Sequence, residues 1–297
     1  MSTSAAIGHA AGAVAAAGGA VLGYSLIEAR SYATRHRDIS CMRDGRTLTV
    51  LHISDLHLTP WDRDRVAWTR RLASLDPDLV VATGDFLAHQ RAVDVVHEAL
   101  APLLHLPGFF VTGSNDYYAP RLKNPFAYLG RNEMRRHGAQ LPTGELIEML
   151  SSGGWHNLNN EQTVVSIGDT VVHARGTDDA HIGLDDYARV QGKYSSEAHL
   201  RLAVTHAPYS RVITAMADDQ PDVILAGHTH GGQVTIPFYG ALTTNCDLPT
   251  KQAKGVSSVT ASDGRRTPLH VSAGIGTSPI FPVRLGCRPE AAFITLR

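Results

Sequence analysis

The sequence predicts an α/β domain in which two packed sheets carry helices on their outer faces. Three observations predict it. Strand-like and helix-like stretches alternate from Leu48 to Thr112. The second half of the chain holds more strand-like runs than helix-like ones. Finally, acids, amides and imidazoles stand directly after apolar runs, as in Val50 to His57 and Val223 to His230. A single doubly wound sheet fits this order less well.

The chain has 297 residues, 43% of them hydrophobic and 19% charged, with a formal net charge of -1. That length and composition suit one large or two smaller globular domains and exclude a disordered chain. Near-neutrality offers no broad electrostatic footprint for nucleic acid. Cys41, Cys246 and Cys287 are odd in number and far apart, so they make neither a disulfide framework nor a CxxC metal site.

Taken in order, residues 5–27 are rich in Ala and Gly and carry no formal charge. Their length suits a membrane span, but Ala and Gly bury little area. Three readings stay open: a membrane anchor or dipping helix, a helix packed on the domain, and a disordered leader. A cleaved signal fits poorly, since no basic region precedes the apolar run. Arg30, Arg35, Arg37 and Arg43 follow it, so an anchored chain would keep the next domain in the cytoplasm. A cytoplasmic location without an anchor is the other outcome. Residues 1–46 thus read as an apolar segment with a basic linker, and residues 47–297 as the globular domain.

Leu48 to Ile53 is the first strand, and Trp61 to Leu75 a helix after the break at Thr59-Pro60. Leu79 to Ala82 is a second buried strand, Ala88 to Leu104 a helix, and Gly108 to Thr112 a third strand. Residues 117–144 are polar and irregular, an excursion of the kind that shapes access to a site. Thr143 to Leu150 is a short helix. Gly168-Asp169 joins two strands as a hairpin. Arg189 to Leu200 is ambiguous. Leu202 to Thr205 is a strand, and Pro208 starts a helix running to Ala217. Strands at Val223 to Ala226, Val234 to Ile236, Val256 to Thr260, Leu269 to Ser272 and Ala292 to Leu296 complete the pattern.

Aspartate, imidazole and amide donors at strand ends suit first-row divalent ions. The candidate ligands are Asp55, His57, Asp85, Asn115, His206, His228 and His230. They are too many for one open site and suit two ions sharing a ligand. Each alone has a plainer explanation: Asp and His after a strand can cap a helix, and Gly84-Asp85 can be an ordinary turn. His228 and His230, two residues apart, share one face of an extended backbone, and Gly227 and Gly231-Gly232 also permit a turn there that brings both onto one site. His89, His97, His105 and His199 have no such context. No P-loop lysine and no Ser- or Cys-centred triad is present.

Asp55-Leu56-His57, Gly84-Asp85, Gly113-Ser114-Asn115-Asp116, His206 and Gly227-His228-Thr229-His230 together resemble the calcineurin-like metallophosphoesterase superfamily. Within it, Gly227 to Gln233 and Gly274 to Ser278 are similar to a YkuE/YaeI-like bacterial subgroup. The resemblance covers residues 47–297. It implies a four-layer α/β/β/α sandwich of two mixed sheets, the metallo-dependent phosphatase fold, with a dinuclear site between the sheet ends. It places Asp55, His57 and His230 on one ion, Asp85 as the bridge, and Asn115, His206 and His228 on the other. Mn²⁺, Fe²⁺ and Zn²⁺ all fit these donors. The family block Gly-Asn-His-Asp is altered here, so either Ser114 or Asn115 fills the amide position, and the usual histidine is missing. Asp116 and His181 are the candidates to replace it, with Asp116 alternatively orienting a ligand. Asp178, Asp179 and His181 form a loop to watch, and Lys123, Arg131 and Arg175 are candidate phosphate partners.

The implied activity is hydrolysis of a phosphomonoester, phosphodiester or pyrophosphate by a metal-bridging hydroxide. The substrate is a phosphorylated small molecule or, given residues 5–27, a lipid. The competing reading is a membrane-associated metal-binding scaffold with little or no hydrolysis.

Overall fold

The computed structural model describes residues 3–42, 44–120, 138–277 and 280–297, with backbone only for residues 3–8, 10 and 11. In chain order the elements begin with α1 (Thr3–Glu28), β1 (Ala33–Ile39) and β2 (Leu48–Ile53). Then come α2 (Arg63–Arg71), β3 (Leu79–Thr83), α3 (Val93–Leu100), β4 (Gly108–Val111) and the single turn α4 (Ser114–Tyr117). Next are α5 (Thr143–Ser152), β5 (Trp155–Asn157), β6 (Gln162–Ile167), β7 (Thr170–Gly176) and β8 (Leu200–Thr205). The rest are α6 (Ser210–Asp218), β9 (Val223–Ala226), β10 (Thr235–Ile236), β11 (Gly240–Ala241), β12 (Gly255–Thr260), β13 (Arg266–Val271) and β14 (Glu290–Leu296).

These strands form two six-stranded mixed sheets and one small hairpin, β10-β11. The first sheet runs β1-β14-β2-β3-β4-β5 and the second β12-β13-β9-β8-β7-β6. Both central runs, β2-β3-β4 and β7-β8-β9, are parallel. Such strands are buried on both faces, which explains the near-continuous apolar sequences of β3, β4 and β9.

Alternation along each strand sorts those side chains into layers. In β3 and β4, Val81, Phe109 and Val111 face the second sheet and pack with Val172, Val204 and Leu225. Val80, Ala82 and Phe110 face the other way, into a core shared with Val66, Val96 and Leu146 of α2, α3 and α5. On the far side, Val212, Ile213 and Met216 of α6 pack with Ala203, Ile224 and Leu269. The order is helices, sheet, sheet, helix, the four-layer sandwich expected from the resemblance.

Two stretches differ from the sequence reading. Residues 33–39 lie within the stretch read as a linker, but β1 is an edge strand paired in parallel with β14, from Ala33–Glu290 to Ile39–Leu296. Residues 5–27 fall in α1. Among the described residues no helix is long and apolar enough to cross a membrane, because Ala and Gly dominate this one. The spanning form of the anchor is therefore corrected. Among the described side chains of α1, those packed on the domain lie at its C-terminal end: Ser25 and Glu28 are buried, Ser25 O accepts from the Arg284 backbone N–H, and the Glu28 carboxylate accepts from that of Gly286.

Candidate metal centre

The candidate residues converge at the C-terminal ends of β2, β3, β4, β8 and β9, where backbone hydrogen bonds stitch several of the following loops together. The Asp55 N–H donates to Gly84 O and that of His57 to Asp85 O, both at 2.9 Å. Across the sandwich, the Gly227 N–H donates to His206 O. The loop after β13 joins the two halves, with Ile275 N–H on Ser54 O and Gly276 N–H on Asp55 O.

Asp55, His57, Asp85, His228 and His230 all have positive φ, between 43° and 71°. Such backbone costs about 1–3 kcal/mol per residue and persists where the surroundings impose it. The payoff is aim, since consecutive ligand candidates leave the strand direction and turn inward. Gly231, at φ 61°, continues the turn that lets His228 and His230 converge. Gly227 serves differently from the turn role read in the sequence: a Cβ there would collide with Ser54 Oγ.

Two overlapping groups of donor atoms result, Asp55-His57-His230 and Asp55-Asp85-His206, all buried. Asp85 Oδ2 lies 3.5 Å from His57 Nε2 and 3.5 Å from His206 Nε2. Asp55 Oδ1 lies 3.5 Å from His230 Nε2. His228 Nδ1 is 3.3 Å from His206 Nε2. Asn115, not Ser114, reaches the group: its amide and backbone N–H contact the two oxygens of Asp85, each at 2.8 Å.

The donor chemistry fits divalent ions. Buried Asp55 Oδ1 and His57 Nδ1 have no hydrogen-bond partner, an expensive arrangement in a site without a cation. His206 Nδ1 lies 2.6 Å from Thr83 O, and a carbonyl can only accept, so the proton sits on Nδ1 and leaves Nε2 as a donor atom. His228 is reversed, with Nε2 3.3 Å from Asn245 O and Nδ1 free to face the cluster. Burial pushes His57 down to about 4 and His228 down to about 3, keeping both imidazoles neutral. Burial also raises Asp55 to about 6. Against its own burial, His206 is held well above the usual imidazole range by Asp85, Asp179 and Asp55. Protonated His206 thus supplies the positive charge that these carboxylates demand without an ion.

Asp116 does not face the cluster. It is fully buried, and its carboxylate accepts from the backbone N–H groups of Asp85, Phe86, Leu87 and Gly113 at 2.7–2.9 Å. Its expected catalytic placement is corrected on that ground, as is the alternative of orienting a histidine: it braces the Asp85 loop. His181 is half-buried at the edge, its Nδ1 3.0 Å from Tyr209 OH and its ring 4.8 Å from that of His228. Asp179 accepts the His181 N–H with one oxygen, while its other buried oxygen is unpartnered. Asp178 receives Tyr117 OH. Arg175 is corrected as a phosphate partner, being buried against Asp219 at 2.9 Å with its guanidinium 3.7 Å over the Tyr194 ring. Lys123 and Arg131 lie outside the described residues.

The sequence reading missed Arg284. This buried guanidinium touches His230 Nδ1 at 3.1 Å and donates to the carbonyls of His230, Gly274 and Gly276. Nothing local marks it, because apart from Cys287 Sγ its partners arrive from other turns of the chain.

Residues 48–232 match the family model described as calcineurin-like phosphoesterase. The chain belongs to the calcineurin-like phosphoesterase family. It is similar to the uncharacterized protein YpbG of Bacillus subtilis, 28% identical over 95% of this chain and 94% of that one. It is also similar to phosphodiesterase YaeI of Escherichia coli, 25% identical over 88% of this chain and 87% of that one. A third relative is the UDP-2,3-diacylglucosamine pyrophosphatase LpxG of Chlamydia trachomatis, 28% identical over 64% of this chain and 66% of that one. For this calcineurin-like phosphoesterase, fold and overlapping donor groups together support a general metal-dependent phosphoesterase activity.

Proposed function

We propose that the chain is a two-metal phosphohydrolase that cleaves a phosphodiester or pyrophosphate bond, with lipid-linked phosphates within its substrate class. The observation that carries the reading is Asp85 Oδ2, equidistant at 3.5 Å from a histidine of each half of the site. A shared carboxylate in that position suits two ions. Asp55, His57 and His230 would hold one ion, and His206, His228 and Asn115 the other, with Asp85 between them. The named activities of the YaeI and LpxG proteins favour diester and pyrophosphate substrates over simple monoesters.

Bound divalent ions supply Lewis-acid stabilisation of phosphoryl oxygens and acidify a water. The chain's own residues prepare that chemistry. Thr83 O and Asn245 O fix the tautomers of His206 and His228. Asp116 braces the loop that presents Asp85. His181, the one half-buried imidazole against this cluster, is positioned to steady the departing oxygen or carry a proton to it. Among the described residues, Mn²⁺, Fe²⁺ and Zn²⁺ suit the nitrogen and oxygen donors equally.

Metal analysis of the folded protein and hydrolysis assays with Mn²⁺ test this. The panel comprises p-nitrophenyl phosphate, bis-p-nitrophenyl phosphate, a nucleoside diphosphate sugar and a phospholipid. Two ions per chain and turnover of the diester or diphosphate are expected, with Asp85→Asn losing more than about 100-fold. One ion at saturation sinks the two-metal assignment. A doubly loaded chain inert to the whole panel points to the metal-binding scaffold instead.

A further inference from the structure

From Gly12 to Tyr24, every residue of α1 is exposed. Its exposed apolar side chains include Val14, Val21, Leu22, Tyr24 and Ile27. At 100° per residue these point all around the helix rather than to one face. A groove on a protein covers one face of a helix, whereas a lipid surface surrounds a helix that dips into it. Crossing is a different matter, and α1 is not apolar enough for it.

A second apolar feature stands beside the first. The loop at 284–286 holds α1 on one side, through Ser25 and Glu28. On its other side it holds β10: Thr235 N–H donates to Leu285 O at 2.7 Å, and Leu285 N–H to Gln233 O at 3.0 Å. The β10-β11 hairpin bears Phe238 and Tyr239 at its tip, 112% and 75% exposed, and Phe238 has a φ of 66°. Gln233 donates to Phe281 O, bringing a third exposed aromatic alongside. Large aromatics in water at a strained turn are unfavourable unless something covers them.

Charge identifies the cover. A groove of about 310 Å³ at the base of α1 is lined by Tyr24, Ile27, Glu28, Ser31 and Arg288. Glu28 is engaged by the Gly286 N–H, and the Arg288 guanidinium is held by the carbonyls of Ser31 and Tyr32 while staying exposed, as is Arg30. Apolar wall and guanidinium together match an acyl chain below an anionic headgroup.

We propose that α1 and the β10-β11 hairpin dock this protein on an anionic bilayer surface, with α1 dipping in and Phe238 and Tyr239 as aromatic anchors. This inference stands independently of the hydrolytic reading. The test is sedimentation of the full chain with vesicles of phosphatidylcholine, with and without phosphatidylglycerol. Binding to the anionic vesicles is expected, weakened at least tenfold by Phe238→Ser/Tyr239→Ser and severalfold by Arg288→Gln. Unchanged thermal unfolding and unchanged hydrolysis of bis-p-nitrophenyl phosphate by the double variant would show that only docking is lost. Failure of the parent to bind vesicles overturns the proposal, as does undiminished binding by the double variant. A dimer in sedimentation equilibrium that this variant abolishes also overturns it, making a second copy the cover. An inactive parent that still binds vesicles counts against the hydrolytic reading alone.

Discussion

At the scale of single residues, Asp116 and Arg284 carry the sharpest expectations. Asp116→Asn places an amide N–H against backbone N–H donors. The expected result is a loss of about 1–3 kcal/mol in urea unfolding and weaker metal binding. The basic limb of the pH–rate profile is expected to stay in place, because a brace does not titrate with catalysis; a shift of that limb would restore Asp116 as an acid. Arg284 can only donate, so His230 Nδ1 accepts and the neutral ring carries its proton on Nε2, the atom facing Asp55. A metal on Nε2 would need that proton moved to Nδ1 and the Arg284 guanidinium turned aside from it, with no net proton lost from the neutral ring. Arg284 also braces the His230 turn through the carbonyls of His230, Gly274 and Gly276, so Arg284→Met is expected to lower metal affinity roughly 10–100-fold, read by calorimetry. Metal affinity in the parent is expected to fall as pH drops through about 6, where Asp55 takes a proton and ceases to be a ligand.

At the scale of elements, the site is five strand ends and the turns that follow them. Gly227→Ala puts a methyl group against Ser54 Oγ and beside Asp55 Oδ2. The expected outcome is a folded chain with depleted metal, seen as unchanged circular dichroism and fewer ions per chain. Normal metal content in that variant would show that the turn yields without moving Asp55. The same scale explains what was legible in the sequence. Leu48 to Ile53, Leu79 to Thr83 and Val223 to Ala226 are buried on both faces, so their apolar runs announce them. β1 reads Ala-Thr-Arg-His-Arg-Asp-Ile and lies at a solvent-facing edge, where charge is tolerated and periodicity vanishes. The donors at the strand ends were legible because chemistry follows apolar sequence abruptly. Their supports were not. Asp116 serves backbone groups up to 31 residues away, and Arg284 reaches back 54 residues to His230. No local pattern records such partners.

At the scale of the whole molecule, the two sheets also meet through a pair of imidazoles. His52 of β2 and His270 of β13 are fully buried, with Nδ1 atoms 2.9 Å apart. Burial pushes His270 down to about 3 and holds His52 well below its ordinary value. The sign follows from proton counting. The unfolded chain protonates these rings near pH 6.5, but the folded chain does not until far lower pH. Their contribution is therefore complete above about pH 6.5 and lost as pH falls below it, by about 2 kcal/mol for His270 at pH 5, with His52 acting in the same direction. Urea unfolding of the metal-stripped chain at pH 7.5 and pH 5 checks this. His270→Leu is expected to flatten the difference relative to the parent, and an unchanged slope would remove the pair from the account.

The sheet order has a consequence for synthesis. β14 lies between β1 and β2, although it leaves the ribosome after both. Until residues 290–296 emerge, β2 is an open edge and β1 has no neighbour to pair with. The loops bearing Asp55, Asp85, His206 and His230 are by then already outside. The nascent chain can gather its metal donors before its first sheet is closed, and an ion captured early would hold the two halves together while the final strand threads into its slot.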